Sequence, residues 1–189
     1  LYTTRKDGHP RRSAQTVIYH QVHTLSRLLA PVLVHTCEEA WSNGLSRENI
    51  AVDSIHLQDW PVIPAEWKAA ELADEIAHLM ELRDRVNEHL ETLRGEKKIG
   101  KSLEAALSVD VPKDHTIAPI LQKHLPQLAE LFIVSSVQVN FSSSNDNILL
   151  TAMPASGETC PRCWRIVEEL PVHVLENDVC PRCAEALHG

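Results

Sequence analysis

The sequence predicts a mainly α protein: a helical bundle, then a small α+β junction unit, then a C-terminal module tied by cysteines. Three observations predict it. Apolar residues recur at helical spacing over two long stretches, Ser13 to Ala30 and Ala65 to Arg94. The period then changes to two, where Leu107, Val109 and Val111 alternate with Ser108 and Asp110. Last, four of the five cysteines crowd into "CPRCWRIVEELPVHVLENDVCPRC", Cys160 to Cys183. These changes of pattern place the boundaries at 1–98, 99–152 and 153–189.

In the first helix Ala14, Val17, Ile18, Val22, Leu25, Leu28 and Leu29 share a face, which predicts one buried side with Ser13 as N-cap. Pro31 interrupts it. Thr36 stands three residues before Glu39, a capping-box spacing, and so predicts a second short helix that ends near Asn43-Gly44. A loop follows, and "SIHLQDWP" reads as a short extended segment. In the long third helix Leu72, Ile76, Leu79, Val86, Leu90 and Leu93 form the apolar stripe, broken by Arg83, and Gly95 ends it. Beyond it, a strand around Leu107–Val111, a helix from Ile117 to His124 and a β-branched strand from Leu131 to Val139 make the α+β unit. "FSSSNDN" is a polar turn, and "ILLTAMP" leads into the cysteines.

At 189 residues and 43% hydrophobic, the chain can bury one sizeable core, or one core plus a satellite. No apolar run approaches the ~18 residues that span a bilayer, and "LYTTRKDGHPRR" lacks the apolar middle of a signal peptide. The expectation is a soluble, cytoplasmic chain without a membrane partner. It opens on Leu1 rather than Met and so reads as a portion of something longer. The net charge of −8 argues against nucleic-acid binding by bulk electrostatics. It hides two basic clusters, Arg5, Lys6, Arg11 and Arg12, and Arg94, Lys97, Lys98 and Lys101, which are either phosphate-binding or simply solvated.

The cysteines carry the chemistry. Cys160 and Cys163, then Cys180 and Cys183, form two C-x2-C knuckles sixteen residues apart, far enough for a hairpin with "WRIVEEL" and "VHVLEND" as its arms. In a reducing compartment such pairs are metal ligands, and four thiolates fill a tetrahedral zinc shell, leaving no site for water or substrate. The zinc expected here is structural. Arg162, Arg165 and Arg182 either offset the excess negative charge or, with Trp164, present a cation and a stacking surface to nucleic acid. Cys37 reads as a small buried residue, and His20 and His23 as packing or surface groups. No hydrolase, metalloprotease or phosphate-loop motif is present, so the chain carries no catalytic residues. "KIGKS", Lys98 to Ser102, looks like the ATP-holding loop of class I aminoacyl-tRNA synthetases, but no nucleotide-binding domain accompanies it.

"RRSAQTVIYH", "LAPVLVHTCEEAW", "RDRVNEHLETLRGEKKIGKSLEAALSV" and "GETCPRCWRIV…VCPRC" resemble, in this order, the C-terminal portion of bacterial isoleucyl-tRNA synthetase. The finger also resembles the one that ends formamidopyrimidine-DNA glycosylases. The chain departs from the first family at Lys101, where a small residue is common, and at Thr36-Cys37-Glu38-Glu39, which varies Thr-Ala-Asp-Glu. The resemblance implies a helical anticodon-binding domain, a junction unit and a zinc finger that together grip the anticodon stem and loop of isoleucine tRNA. ATP and catalysis would belong to the remainder of the parent enzyme. The basic clusters and the arginine pair opening a helix place Arg11, Arg12, Lys97 and Lys98 on the RNA backbone, and position alone places Arg162 and Trp164 on bases, in a monomer. Alternatives are a purely structural C-terminal module, a DNA-repair glycosylase fragment and a rubredoxin-like iron carrier. The glycosylase would need an N-terminal catalytic proline that "LYTTRKD" does not supply. The iron carrier would carry glycine where Trp164 and Ala184 stand.

Overall fold

The computed structural model describes residues 3–44, 54–142, 147–174 and 177–188. The predicted loop after Gly44 lies largely outside these residues, as do the middle of "FSSSNDN" and part of "VHVLEND". The chain divides into two compact units between Lys68 and Ala69.

In the first unit, α1 (His9–Leu29) starts four residues before the expected Ser13. Pro10 sits in its first turn, where its missing N–H costs nothing and its fixed φ suits the helix. Its apolar face is not buried as expected. Val17, Ile18, Val22, Leu25, Leu28 and Leu29 are 40–54% exposed, and His23 is the buried residue of the helix. The reason lies in the partners: α2 (Val34–Asn43) is short, and among the described residues of this unit only 3-10 turns at Ile55–Leu57 and Ala65–Trp67 accompany it. The small core is Ala30, Cys37, Trp41 and Ile55. Leu33, not Thr36, caps α2, which ends at Gly44 as the sequence implies. "SIHLQDWP" is a 3-10 turn rather than an extended segment. Glu38 holds it from α2, accepting from Ser54 Oγ at 2.8 Å and Ile55 N–H at 3.0 Å.

In the second unit, α3 (Ala70–Gly95) buries Leu79, Leu82, Val86, Leu90 and Leu93, a stripe at three- and four-residue steps. Leu82 completes the stripe where Arg83 had broken it, and Leu72 and Ile76 lie exposed. α3 packs on a three-stranded sheet of order β2-β1-β3. β1 (Ala105–Pro112) alternates buried and half-buried residues as its period predicts. β2 (Ser136–Ser142) runs parallel to it, and β3 (Leu149–Pro154) antiparallel. The parallel crossover contains α4 (Ala118–His124) and the short α5 (Leu128–Leu131). The expected strand from Leu131 therefore begins five residues later. Helical geometry is what turns Leu128 and Phe132, four residues apart, into the same core as Val134.

Two helix ends in this unit share one geometry. Lys98 N–H donates to Leu93 O and Lys97 N–H to Arg94 O, both at 2.9 Å, with Lys97 at φ 57°. Val134 N–H donates to Ala129 O and Ile133 N–H to Glu130 O, with Ile133 at φ 56°. Both are Schellman caps, whose left-handed residue is usually glycine. Gly95 closes α3 as its last residue, but the left-handed position belongs to Lys97.

A polar tie joins α3 to α4. Lys123 Nζ donates to both carboxylate oxygens of Glu75 at 2.7 Å, and His124 Nε2 lies 3.1 Å from one of them. The lysine bond first, and the histidine second, hold the Glu75 carboxyl below its ordinary 4.5. A depressed folded-state pKa gives stability that is present above that value and is lost as pH falls through the folded one. Glu75→Gln is therefore expected to lower the urea midpoint at neutral pH, with the gap to wild type closing as pH falls below the ordinary carboxylate range.

Candidate metal centre and nucleic-acid interface

The C-terminal module contains two small hairpins rather than one long one. β4 (Glu158–Thr159) pairs with β5 (Ile166–Val167), and β6 (Val172–Val174) with β7 (Asn177–Val179). The second knuckle opens onto α6 (Pro181–His188), again with proline first. Gly157, at φ 122°, lets the chain enter this module, since a Cβ there would stand 2.1 Å from the Val167 carbonyl oxygen.

Each hairpin delivers one pair of cysteines, and all four are buried among Val167, Leu170, Val172, Val174, Val179 and Ala184. Their Sγ atoms lie within 4.8 Å of one another, with Cys163 and Cys180 at 3.7 Å. Zinc–sulfur bonds of about 2.3 Å in a tetrahedron require S···S separations of about 3.8 Å. Backbone donors converge as well: Cys180 N–H points to Cys160 Sγ at 3.5 Å. Burial opposes ionisation of Cys160, but the N–H groups of Cys180, Cys163 and Arg162 outweigh it and bring the thiol down to about 6. Burial, reinforced by the Cys163 sulfur, pushes Cys183 up to about 12, and burial also raises Cys180. Cys160 thus favours the thiolate while Cys180 and Cys183 resist ionisation. Four thiolates in so small a space need a cation among them. Among the described residues this is the one group that could hold a metal ion. His20 and His23 pack instead against Trp67, Tyr19 and Trp41.

The three arginines of the module are each engaged by other groups of the protein. Arg162 hydrogen-bonds Cys183, Arg165 Nε donates to the Ser135 carbonyl at 3.1 Å, and Arg182 pairs with Glu130. Ser135 is the hub of the docking. Its hydroxyl accepts from Ile166 N–H at 2.7 Å and donates to the Leu103 carbonyl, while its N–H donates to Ala105 O. The finger is thereby fixed to the segment that follows "KIGKS". That segment is itself folded: Ile99 is buried, Glu104 accepts from Gly100 N–H at 2.7 Å, and Ser102 accepts from Arg94.

Trp164 points the other way. It is 59% exposed and adopts φ 63°, held there by its N–H donating to Cys160 O at 2.8 Å. Lys101 Nζ lies 5.6 Å from its ring centroid. Arg162 and Trp164 thus share the first knuckle, with one turned to sulfur and the other to solvent. Lys97 and Lys98 precede Lys101 on the exposed turn after α3, and Lys98 pairs with Glu96 at 2.7 Å. Arg11 and Arg12 lie in the first turn of α1, where Arg12 is 3.7 Å from Asp7. Sequence reasoning missed Lys101 as the partner of Trp164 and Ser135 as the dock. A tryptophan where a knuckle favours glycine was the available signal for the first, and nothing local marked the second.

Residues 1–111 match the family described as the anticodon-binding domain of tRNA ligase. The chain belongs to that family. Residues 157–186 match a zinc finger found in FPG and IleRS, so the four cysteines of this anticodon-binding chain sit in a zinc-finger module. Over 194 residues the chain is 42% identical to the isoleucine–tRNA ligase of Staphylococcus epidermidis, a match that covers 99% of this chain and 20% of that protein. The corresponding enzymes of Staphylococcus haemolyticus and Staphylococcus aureus are 41% and 38% identical over 192 residues, with the same coverage. The chain thus spans about a fifth of the length of these relatives. It resembles the anticodon-binding and zinc-finger region of isoleucine–tRNA ligase. No helix among the described residues is long and apolar enough to cross a membrane.

Proposed function

We propose that this chain is a non-catalytic tRNA-binding module that engages the anticodon stem and loop of isoleucine tRNA on behalf of a larger ligase. Cys160, Cys163, Cys180 and Cys183 hold one structural zinc ion, whose chemistry is to neutralise and cross-link the sulfurs. Arg11, Arg12, Lys97 and Lys98 contact backbone phosphates. Trp164 stacks on an unpaired base, and Arg162 contacts a base beside it. Residues 1–98, 99–152 and 153–189 serve as helical binding segment, junction and reading head.

The observation that carries the reading is Trp164: a large aromatic, 59% exposed, in a backbone conformation that glycine adopts at less cost. Packing gives no reason for it. Phosphates position an RNA, whereas stacking and hydrogen bonds to unstacked bases read it. Lys97 tests the reading in the same way, because it too holds a glycine-favouring position with its side chain exposed. Lys97→Gly is expected to raise stability by about 0.5–1 kcal/mol. The same change is expected to weaken tRNA binding and flatten its salt dependence. Thermal melts and filter binding at two salt concentrations check both. A variant no weaker than wild type in binding removes Lys97 from the interface.

A further inference from the structure

The geometry points to a one-nucleotide subsite formed by Lys101 and Trp164 together, in which the indole stacks on an unpaired base and the Lys101 ammonium holds the phosphate next to that base. This rests on the tRNA-binding reading and adds to it a residue and a division of labour.

The two side chains come from different parts of the second unit, the turn after α3 and the first cysteine knuckle. Their meeting is not an accident of a loose surface. The Trp164 backbone is fixed by the Cys160 carbonyl, and the Lys101 backbone by the Glu104 carboxylate, which accepts from its N–H. Ser135 links Ile166, two residues beyond Trp164, to Leu103, two residues beyond Lys101. Lys101 is exposed, and its charge acts on the nearby Glu104 carboxylate without closing into an ion pair among the described residues. At 5.6 Å from the ring centroid it lies in cation–π range, which orients the indole before any ligand arrives. A cation beside a fixed aromatic matches a nucleotide's two parts, a π-face and a flanking phosphate, better than it matches either an apolar partner or duplex backbone alone.

The test titrates the full zinc-loaded chain with an RNA hairpin carrying the isoleucine anticodon loop and with versions made abasic at each loop position. Wild type, Lys101→Met, Lys101→Arg, Trp164→Leu and the Lys101→Met/Trp164→Leu pair are compared at several salt concentrations. Trp164→Leu is expected to lose about 5- to 150-fold in affinity. Lys101→Met should lower the log–log salt slope by about 0.7 to 0.9, one phosphate's share, and Lys101→Arg should restore it. The double variant should lose less than the product of the single losses, and one abasic position should abolish the Trp164 effect. An unchanged salt slope in Lys101→Met, or strictly multiplicative losses, overturns the subsite while leaving tRNA binding intact. Failure of the wild-type chain to bind the hairpin overturns both.

Discussion

Replacing Cys183 with serine is expected to abolish metal binding and unfold residues 157–186, leaving the remainder of the second unit folded. The physical ground is the size of that module. Its core is the four cysteines, Val179 and Ala184, with four partly buried apolar neighbours, and its strands are two or three residues long. Such a segment cannot bury enough surface to hold itself, and the binding free energy of a structural zinc, about 10–16 kcal/mol in finger peptides, is then its folding free energy. The core of α3 and the sheet contains none of these residues, so it persists. Metal analysis with limited proteolysis should show zinc lost and cleavage confined to the C-terminal segment. A wild-type-like proteolysis pattern in metal-free protein would mean that apolar packing, not the ion, holds the finger. Because Trp164 is carried by the first knuckle, RNA binding should fall with the metal.

Phe132→Ala is the second large effect, an expected loss of about 3–5 kcal/mol in urea unfolding. Phe132 is 1% exposed at the centre of the α3–sheet core, packed with Leu121, Leu128 and Val134. Its neighbour supplies the control: Ile133 is 47% exposed at φ 56°, and Ile133→Gly relieves backbone strain at little cost in burial. It should be neutral or stabilising by up to about 1 kcal/mol. Equal losses at both positions would contradict the turn that separates them.

How far the sequence led depends on the range of the forces involved. The alternation of Leu107, Val109 and Val111 is a local pattern, and the strand is where it predicts. The stripe through Leu79, Val86, Leu90 and Leu93 likewise marks the long helix, although the helix begins at Ala70 rather than Ala65 and leaves Leu72 and Ile76 exposed. The cysteine spacing was equally legible, since two tight turns aiming at one ion need no information from elsewhere in the chain. Pro10 marked the true start of α1, yet Ser13 looked like the better cap. "LAELFIVSSVQV" misled because β-branched content favours a strand, whereas the core required Leu128 and Phe132 on one helical face. The 3-10 turn at Ile55 depends on Glu38, seventeen residues away, and the dock of the finger on Ser135, thirty-one from Ile166. No local pattern encodes such bonds. β3 was passed over because it closes the sheet only through its register with β1.

The side chains assigned to RNA share no sequence periodicity. Position in the sequence pairs Arg162 with Trp164 as a base contact, and the fold turns it toward Cys183 and Arg165 toward Ser135 while leaving the indole outside. Lys101 stood out as a departure from the related family, and its place beside Trp164 supplies a physical role for it.

The central claim is most directly tested by titrating the zinc-loaded chain with isoleucine tRNA and with the same tRNA bearing an altered anticodon, at two salt concentrations. The account predicts tighter binding of the unaltered tRNA, with log affinity falling linearly in log salt for both. Equal affinity for the two, or binding indifferent to salt, would contradict it and leave the chain a structural support of a larger enzyme.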